Sequence, residues 1–167
     1  MSGPGARTEV VPSDTGLAVT IVAARWHGTV MDGLIDGATT LCEEAGATVT
    51  LVRASGAFEV PLLVANAARN SDAVVALAVV VRGGTPHFDY ICRSVTDGLT
   101  HVALNTGVPV GFGVLTCDTE AQALDRAGLE GSSADKGRES ALAAIDTALT
   151  LAKLQARAPG RGLGFGR

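Results

Sequence analysis

The sequence predicts an α/β fold in which four parallel strands form the middle layer of a three-layer α/β/α sandwich. Short apolar runs alternate along the chain with segments whose apolar residues recur at helical spacing. Such alternation is typical of parallel sheets with right-handed crossover helices. Hydrophobic residues make up 47% of the chain and aromatic residues only 4%. This composition of small apolar residues favours closely packed helices and buried strands.

The predicted strands are apolar and rich in β-branched residues. They are LAVTIVAA (17–24), TVTLVRA (48–54), AVVALAVVVR (73–82) and PVGFGVLT (109–116). The third run is the most apolar and is predicted to lie at the centre of the sheet, covered on both faces. Four such strands, joined by helices, make a flavodoxin-like parallel sheet.

Helices are predicted between and after these strands. The first runs from Thr29 and ends at Gly46, a residue type common at helix C-caps. Pro61 suits the first turn of the second helix. The other three are predicted at about 89–104, 119–127 and 135–156. One domain is therefore expected over residues 16–157, with a flexible N-terminal arm over 1–15.

The last segment, 158–167 (APGRGLGFGR), is predicted to be a disordered Gly/Arg tail. Its alternating glycines resemble a nucleotide-binding loop, but no strand precedes them and no helix follows.

Composition excludes several classes of function. The net charge of −4, with no dense run of Lys or Arg, argues against binding to nucleic acid. Cys42, Cys92 and Cys117 share no CxxC spacing and, with the histidines, form no zinc pattern, so no metal is predicted. The N-terminus lacks a signal-peptide pattern. No apolar run approaches the roughly 20 residues that span a bilayer, so we expect a cytoplasmic protein without membrane contact.

The most unusual residues follow the predicted strands. Arg25-Trp26-His27 follow the first strand, residues 56–59 (GAFE) the second and residues 83–87 (GGTPH) the third. In open α/β sheets, ligands bind at the carboxyl ends of the strands. The sequence therefore predicts one composite pocket at that edge.

Each candidate site residue has a structural interpretation beside the functional one. Trp26 is either an aromatic cap on the core or a flat platform for a planar heterocycle. Residues 56–59 are either a helix cap, with Glu59 complementing the helix dipole, or a set of N–H groups and a carboxylate that bind a polyol. Phe112 is either core or a second wall of a ring-binding slot.

The loop after the third strand is more informative. Gly83 and Gly84 let the backbone approach a ligand closely, and Thr85 before a helix suits an oxyanion or phosphate. His87 is either structural or an acid/base group, because imidazole titrates near neutrality. Arg126 and Lys136 flank a polar loop and are either surface charges or phosphate ligands.

Several ordered motifs resemble the lumazine synthase family, and its actinobacterial-type members in particular, which carry a Trp at the position of Trp26. The motifs are GAFEVP (56–61), RGGTPHFDY (82–90), PVGFGVLT (109–116), EAQALDRAG (120–128) and DKG (135–137). The resemblance covers residues 17–155. It implies a transferase that joins 5-amino-6-(D-ribitylamino)uracil to 3,4-dihydroxy-2-butanone 4-phosphate, giving 6,7-dimethyl-8-ribityllumazine in riboflavin biosynthesis.

The resemblance also implies a role for each candidate residue. Trp26 would stack on the pyrimidine, and His87 would transfer protons. The other implied substrate-binding residues are Gly56, Ala57, Phe58 and Glu59 for the ribityl chain, Val79, Val80 and Val81 for the heterocycle edge, Gly84 and Thr85 for the phosphate, and Phe112, Arg126 and Lys136 from a neighbouring subunit. No cofactor is implied.

The resemblance further implies a homopentamer, with higher assemblies open, whose active site lies between adjacent subunits. The loop 129–135 (LEGSSAD) is longer than in capsid-forming relatives and favours a free pentamer. Gly84 stands where the family commonly carries Glu or Gln. That difference keeps one alternative open, a non-catalytic flavin or lumazine carrier. The assembly of the family into pentamers, and sometimes into sixty-subunit capsids, keeps open a second, a primarily shell-forming homologue. A related archaeal riboflavin synthase, which would consume lumazine, is a third.

Overall fold

The predicted strands form a single parallel sheet in the computed structural model, which describes residues 10–156. In chain order they are β1 (Ala18–Ala24), β2 (Thr48–Ala54), β3 (Ala73–Val81) and β4 (Val110–Cys117). The strand order across the sheet is β2-β1-β3-β4, with every pairing parallel. The central strands β1 and β3 are almost wholly buried, as their continuous apolar sequences predict.

Five α-helices connect and cover the strands within the described range. They are α1 (Gly28–Glu44), α2 (Val60–Ala67), α3 (His87–Thr106), α4 (Glu120–Leu124) and α5 (Lys136–Ala156), with a short 3₁₀ turn at Ala57–Glu59. One buried apolar cluster joins one face of the sheet to α1 and α5, and a second joins the other face to α2 and α3. This arrangement confirms the three-layer α/β/α sandwich.

Helices α3 and α4 differ most from their predicted limits, for local reasons. Helix α3 begins at His87, two residues earlier than expected, because Pro86 already has a helical φ of −63° and its carbonyl accepts the Asp89 N–H at 3.1 Å. Helix α4 ends at Leu124, three residues earlier than expected. The following chain folds back on itself, and the Gly128 N–H donates to the Ala134 carbonyl at 3.0 Å.

Close backbone contacts fix α5 against the rest of the domain. A side chain at Gly137 would collide with the Leu34 carbonyl of α1, and one at Gly111 would collide with the Ser140 carbonyl of α5. Glycine at both positions therefore permits a spacing that no larger residue allows. This packing holds β4 and the α4–α5 loop in place relative to the sheet.

The ends of the chain fall mostly outside the described part. The predicted tail over 158–167 and residues 1–9 of the predicted arm lie outside the described residues. Within the described part of the arm, Val11 packs against the apolar cluster and the Thr15 N–H donates to the Ala45 carbonyl at 2.9 Å. Across residues 10–156, no helix is long and apolar enough to cross a membrane.

Candidate active site

A cavity of about 720 Å³ opens at the carboxyl edge of the sheet. Its size falls in the range of small-molecule binding sites, roughly 300–1,000 Å³. The walls come from three consecutive strand ends and the first turns of α3. The lining residues are Trp26, His27, Gly56, Ala57, Phe58, Glu59, Val79, Val80, Val81, His87 and Ile91. The segments that the sequence singled out after three strands therefore meet in one cavity.

The wall after β1 is an exposed aromatic ring on a strained turn. Trp26 is 69% exposed. Its ring therefore does not cap the core, which was the structural interpretation of this residue. His27 follows in the left-handed conformation, with φ 59° and ψ 59°. Residues other than glycine seldom adopt this conformation, and it occurs often at functional sites. The turn presents the indole ring to the cavity.

The wall after β2 is packed closely around Gly56. This residue is extended, with a φ of −155°. A Cβ there would lie 3.1 Å from Glu59 Oε2 and 3.7 Å from Trp26 Nε1. The absence of a side chain at Gly56 therefore lets the Glu59 carboxylate and the indole N–H approach the same stretch of backbone. Phe58 is 59% exposed beside them, so the site combines aromatic surface with one carboxylate.

The floor is the end of β3. Val79 is 5% exposed and Val80 and Val81 are half-buried. Beyond them, residues 82–87 are all exposed, and a Cβ at Gly83 or Gly84 would meet nothing within 4 Å. Gly84 and Thr85 do not line the cavity as it stands in the single described chain.

Arg82 fixes the position of the first turn of α3. Its Nε donates to Asp118 Oδ1 at 2.8 Å and its Nη1 donates to Asp89 Oδ1 at 3.2 Å. Its guanidinium lies 4.1 Å from the centroid of the Phe88 ring. These hydrogen bonds, that to Asp118 above all, raise the pKa of Arg82. The contacts tie the start of α3, and hence His87, to the end of β4.

Phe112, Arg126 and Lys136 lie apart from the cavity in the described chain. Phe112 is on the edge strand β4 and is 47% exposed. Arg126 Nη1 donates to the Gln122 carbonyl at 2.8 Å, and Lys136 Nζ donates to Glu139 Oε2 at 2.6 Å. A single chain therefore does not bring these three residues to the wall formed by Trp26 and Glu59.

Two lining residues were underrated from the sequence. Ile91 was not singled out, although it lies four residues after His87 and thus on the same face of α3. His27 was placed after the first strand but given no role, yet it also lines the cavity. The spacing of four residues from His87 was the feature of the sequence that could have identified Ile91.

Thiol and metal chemistry have no support in the described residues. Burial is the main factor that raises the pKa of Cys92 and Cys117, and it raises the pKa of Cys42 to about 11. A nucleophilic cysteine needs the opposite shift. Within residues 10–156, no three His, Cys, Asp or Glu side chains are grouped to hold a metal ion. The cavity instead offers aromatic rings, a carboxylate and an imidazole.

Comparison of the sequence with known proteins matches the chain to one family. The sequence profile of the 6,7-dimethyl-8-ribityllumazine synthase family matches residues 16–152. The chain is 57% identical to the 6,7-dimethyl-8-ribityllumazine synthase of Frankia casuarinae over 157 residues, 93% of this chain and 98% of the relative. It is 58% identical to that of Streptomyces coelicolor, covering 90% and 95%. It is 59% identical to that of Kocuria rhizophila, covering 90% and 99%.

Proposed function

The chain belongs to the 6,7-dimethyl-8-ribityllumazine synthase family, and from that premise we propose that its cavity binds 5-amino-6-(D-ribitylamino)uracil and condenses it with 3,4-dihydroxy-2-butanone 4-phosphate. The observation that carries the proposal is the convergence of Trp26, residues 56–59 and His87 on one cavity. An aromatic face suits a planar pyrimidine. The product is 6,7-dimethyl-8-ribityllumazine, and the enzyme is a transferase of riboflavin biosynthesis.

We propose the following roles for the cavity walls. The pyrimidine stacks on Trp26, with its edge against the backbone of residues 79–81. The ribityl hydroxyls donate to Glu59 and accept from the N–H groups of residues 56–58. Glu59 lies near the start of α2, where a negative charge is favoured by the helix dipole. The ring and the polyol are thus held by neighbouring walls, which leaves the 5-amino group free to react.

The proposed chemistry begins when the 5-amino group attacks the ketone. Loss of water gives an imine, elimination of inorganic phosphate follows, and tautomerisation leads to ring closure with a second loss of water. Holding two reactants in one orientation contributes about 7–11 kcal/mol in favourable cases. His87 starts α3 at the cavity wall and is proposed to transfer protons, worth about 10²–10⁴-fold in rate.

We propose that Phe112, Arg126 and Lys136 complete the site from an adjacent subunit of a homopentamer. Their position away from the cavity of their own chain supports this arrangement. The proposal is tested by mixing two variants of low activity, His87→Ala and Arg126→Ala, after dissociation and reassembly. If each site uses His87 of one subunit and Arg126 of its neighbour, mixed pentamers regain activity. No regain in mixed assemblies that sediment as pentamers would contradict the shared site.

Gly84 is proposed to weaken phosphate binding relative to a Gln at the same place. A Cβ there meets nothing within 4 Å, so a longer side chain is accommodated. We expect Gly84→Gln to lower the KM for the butanone phosphate and to leave the KM for the aminouracil unchanged. The matched control is Gly83→Gln, the neighbouring glycine with equally open space. An equal effect of both substitutions would remove the special role of position 84.

The proposed function is tested by supplying both substrates and following lumazine absorbance and phosphate release together. We expect one phosphate for each lumazine, and neither when either substrate is omitted. A carrier would bind riboflavin tightly without forming product. A riboflavin synthase would consume lumazine supplied alone, and a purely shell-forming homologue would assemble without turnover. We place the reaction in the cytoplasm, where three unpaired thiols are stable.

A further inference from the structure

Arg53 ties two neighbouring strands together just before the aromatic wall of the cavity. It lies near the end of β2, where it is paired in register with Ala23 of β1. Its Nη2 donates to the Ala24 carbonyl at 3.1 Å. Ala24 is the last residue of β1. The guanidinium therefore contacts the backbone only two residues before Trp26.

The placement of Trp26 depends on that backbone. The ring is 69% exposed, so core packing does not fix its direction. On its far side the chain passes through the left-handed residue His27, and the N-cap of α1 gains no side-chain hydrogen bond there. A strained turn persists only when the surrounding structure holds it. Arg53 of β2 holds this turn through its hydrogen bond to Ala24, at the end of β1.

An arginine at position 53 is not explained by a gain in the stability of the fold. Arg53 Nε is buried and has no hydrogen-bond partner among the described residues. A buried donor without a partner destabilises a protein, and each such group in a native structure calls for an explanation. An unbranched apolar side chain of similar length would remove the unpaired donor, but it would also remove the hydrogen bond to Ala24.

We propose that Arg53 is a positioning residue, which holds the end of β1 so that Trp26 stands as the wall against which the pyrimidine stacks. This inference rests on the proposed function and extends it to a residue outside the cavity. Arg53 itself does not line the cavity in the described chain. It acts through the Ala24 carbonyl and the turn, and its guanidinium contacts neither substrate.

The test compares Arg53→Met and Arg53→Lys with the control Arg69→Ala. Arg69 is exposed, and its side chain makes no hydrogen bond or ion pair with the described residues. For Arg53→Met we expect an unchanged or higher Tm and a KM for the aminouracil raised about three- to tenfold, as for one lost hydrogen bond. The KM for the butanone phosphate should stay unchanged. Arg53→Lys keeps a donor for the Ala24 carbonyl, so its KM for the aminouracil should return most of the way to the wild-type value.

The fluorescence of Trp26 gives a readout that does not require turnover. Trp26 is the only tryptophan of the chain, so acrylamide quenching of the free protein reports its exposure directly. We expect the quenching constant to change in Arg53→Met, to return towards the wild-type value in Arg53→Lys and to be unaffected in Arg69→Ala. Absence of lumazine formation by the wild type would refute the proposed function without altering this result.

Three results would overturn the positioning role. One is a lower Tm for Arg53→Met, or its failure to fold, which would assign Arg53 to the stability of the sheet. Another is an equal rise of both KM values, which would indicate a general disturbance of the site. The third is an unchanged quenching constant together with an unchanged KM for the aminouracil.

Discussion

Substitution of Gly56 by alanine should raise the stability of the fold and weaken the binding of the aminouracil, so the two effects can be measured separately. The φ of −155° is open to any residue, so the backbone is not strained by a side chain. Replacing glycine by alanine under such conditions restricts the unfolded chain and stabilises the fold by about 0.4–1 kcal/mol. For a domain of this size, that corresponds to a rise in Tm of about 1–4 °C.

The new methyl group would enter the space between the two ligand-binding walls. Its carbon would lie 3.1 Å from Glu59 Oε2, closer than ordinary contact, and 3.8 Å from Trp26 Cδ1. The Glu59 side chain must shift by a few tenths of an ångström, whereas the indole keeps a normal contact. Partial loss of a hydrogen bond to a charged group then raises the KM for the aminouracil about three- to thirtyfold.

The assay combines thermal unfolding with steady-state kinetics in which each substrate is varied in turn. Gly28→Ala is the matched control, because a Cβ at Gly28 meets nothing within 4 Å and its φ is not positive. Both variants should be at least as stable as the wild type, and only Gly56→Ala should bind the aminouracil more weakly. Equal KM values for Gly56→Ala, Gly28→Ala and the wild type would refute the role of Glu59 in binding.

Three further substitutions and conditions test other parts of the structure. His87→Ala should lower kcat about 10²–10⁴-fold while the quenching of Trp26 by the aminouracil keeps its midpoint, and an unchanged kcat would remove His87 from the mechanism. Gly137→Ala should lower the Tm by about 2–10 °C, since its methyl group would collide with the Leu34 carbonyl; an unchanged Tm would show that α5 can move away freely. Because burial raises the pKa of Cys42 from 9.0 to about 11, the unfolded thiol ionises first, and the free energy of unfolding should fall as the pH rises from 9 to 11. Cys42→Ala should lose that part of the pH dependence, and identical pH profiles would contradict the burial of the thiol.

Most of the fold could be predicted from the sequence because its apolar residues follow the strand and helix patterns with few exceptions. The run at residues 73–82 is apolar at nearly every position, as a strand covered on both faces must be, and β3 occupies 73–81. The order of the strands was not predicted, since helical crossovers of similar length permit several orders. The start of α3 was missed by two residues because the fixed φ of Pro86 begins the helix earlier than its apolar pattern does.

The position of the cavity could be predicted from the topology of the sheet, whereas the full set of residues that form or support it could not. Parallel strands must bring their carboxyl ends to one edge, so the residues after β1, β2 and β3 could be placed together in advance. Ile91 was missed because an aliphatic residue on an amphipathic helix looks like core. Arg53 was missed for a different reason. Its role depends on a hydrogen bond to the backbone of a strand 29 residues earlier in the chain, which no local pattern records.

The central claim, that the condensation takes place in the cavity beside Trp26, is tested most directly with a ribitylaminouracil that lacks the 5-amino group. This compound cannot form the imine and should compete with the reactive substrate. Its inhibition constant is measured from lumazine formation, and its dissociation constant from the quenching of Trp26, the single tryptophan. We expect the two constants to agree and His87→Ala to leave the dissociation constant unchanged. Full inhibition of lumazine formation without any change in Trp26 emission would place the reaction elsewhere on the protein.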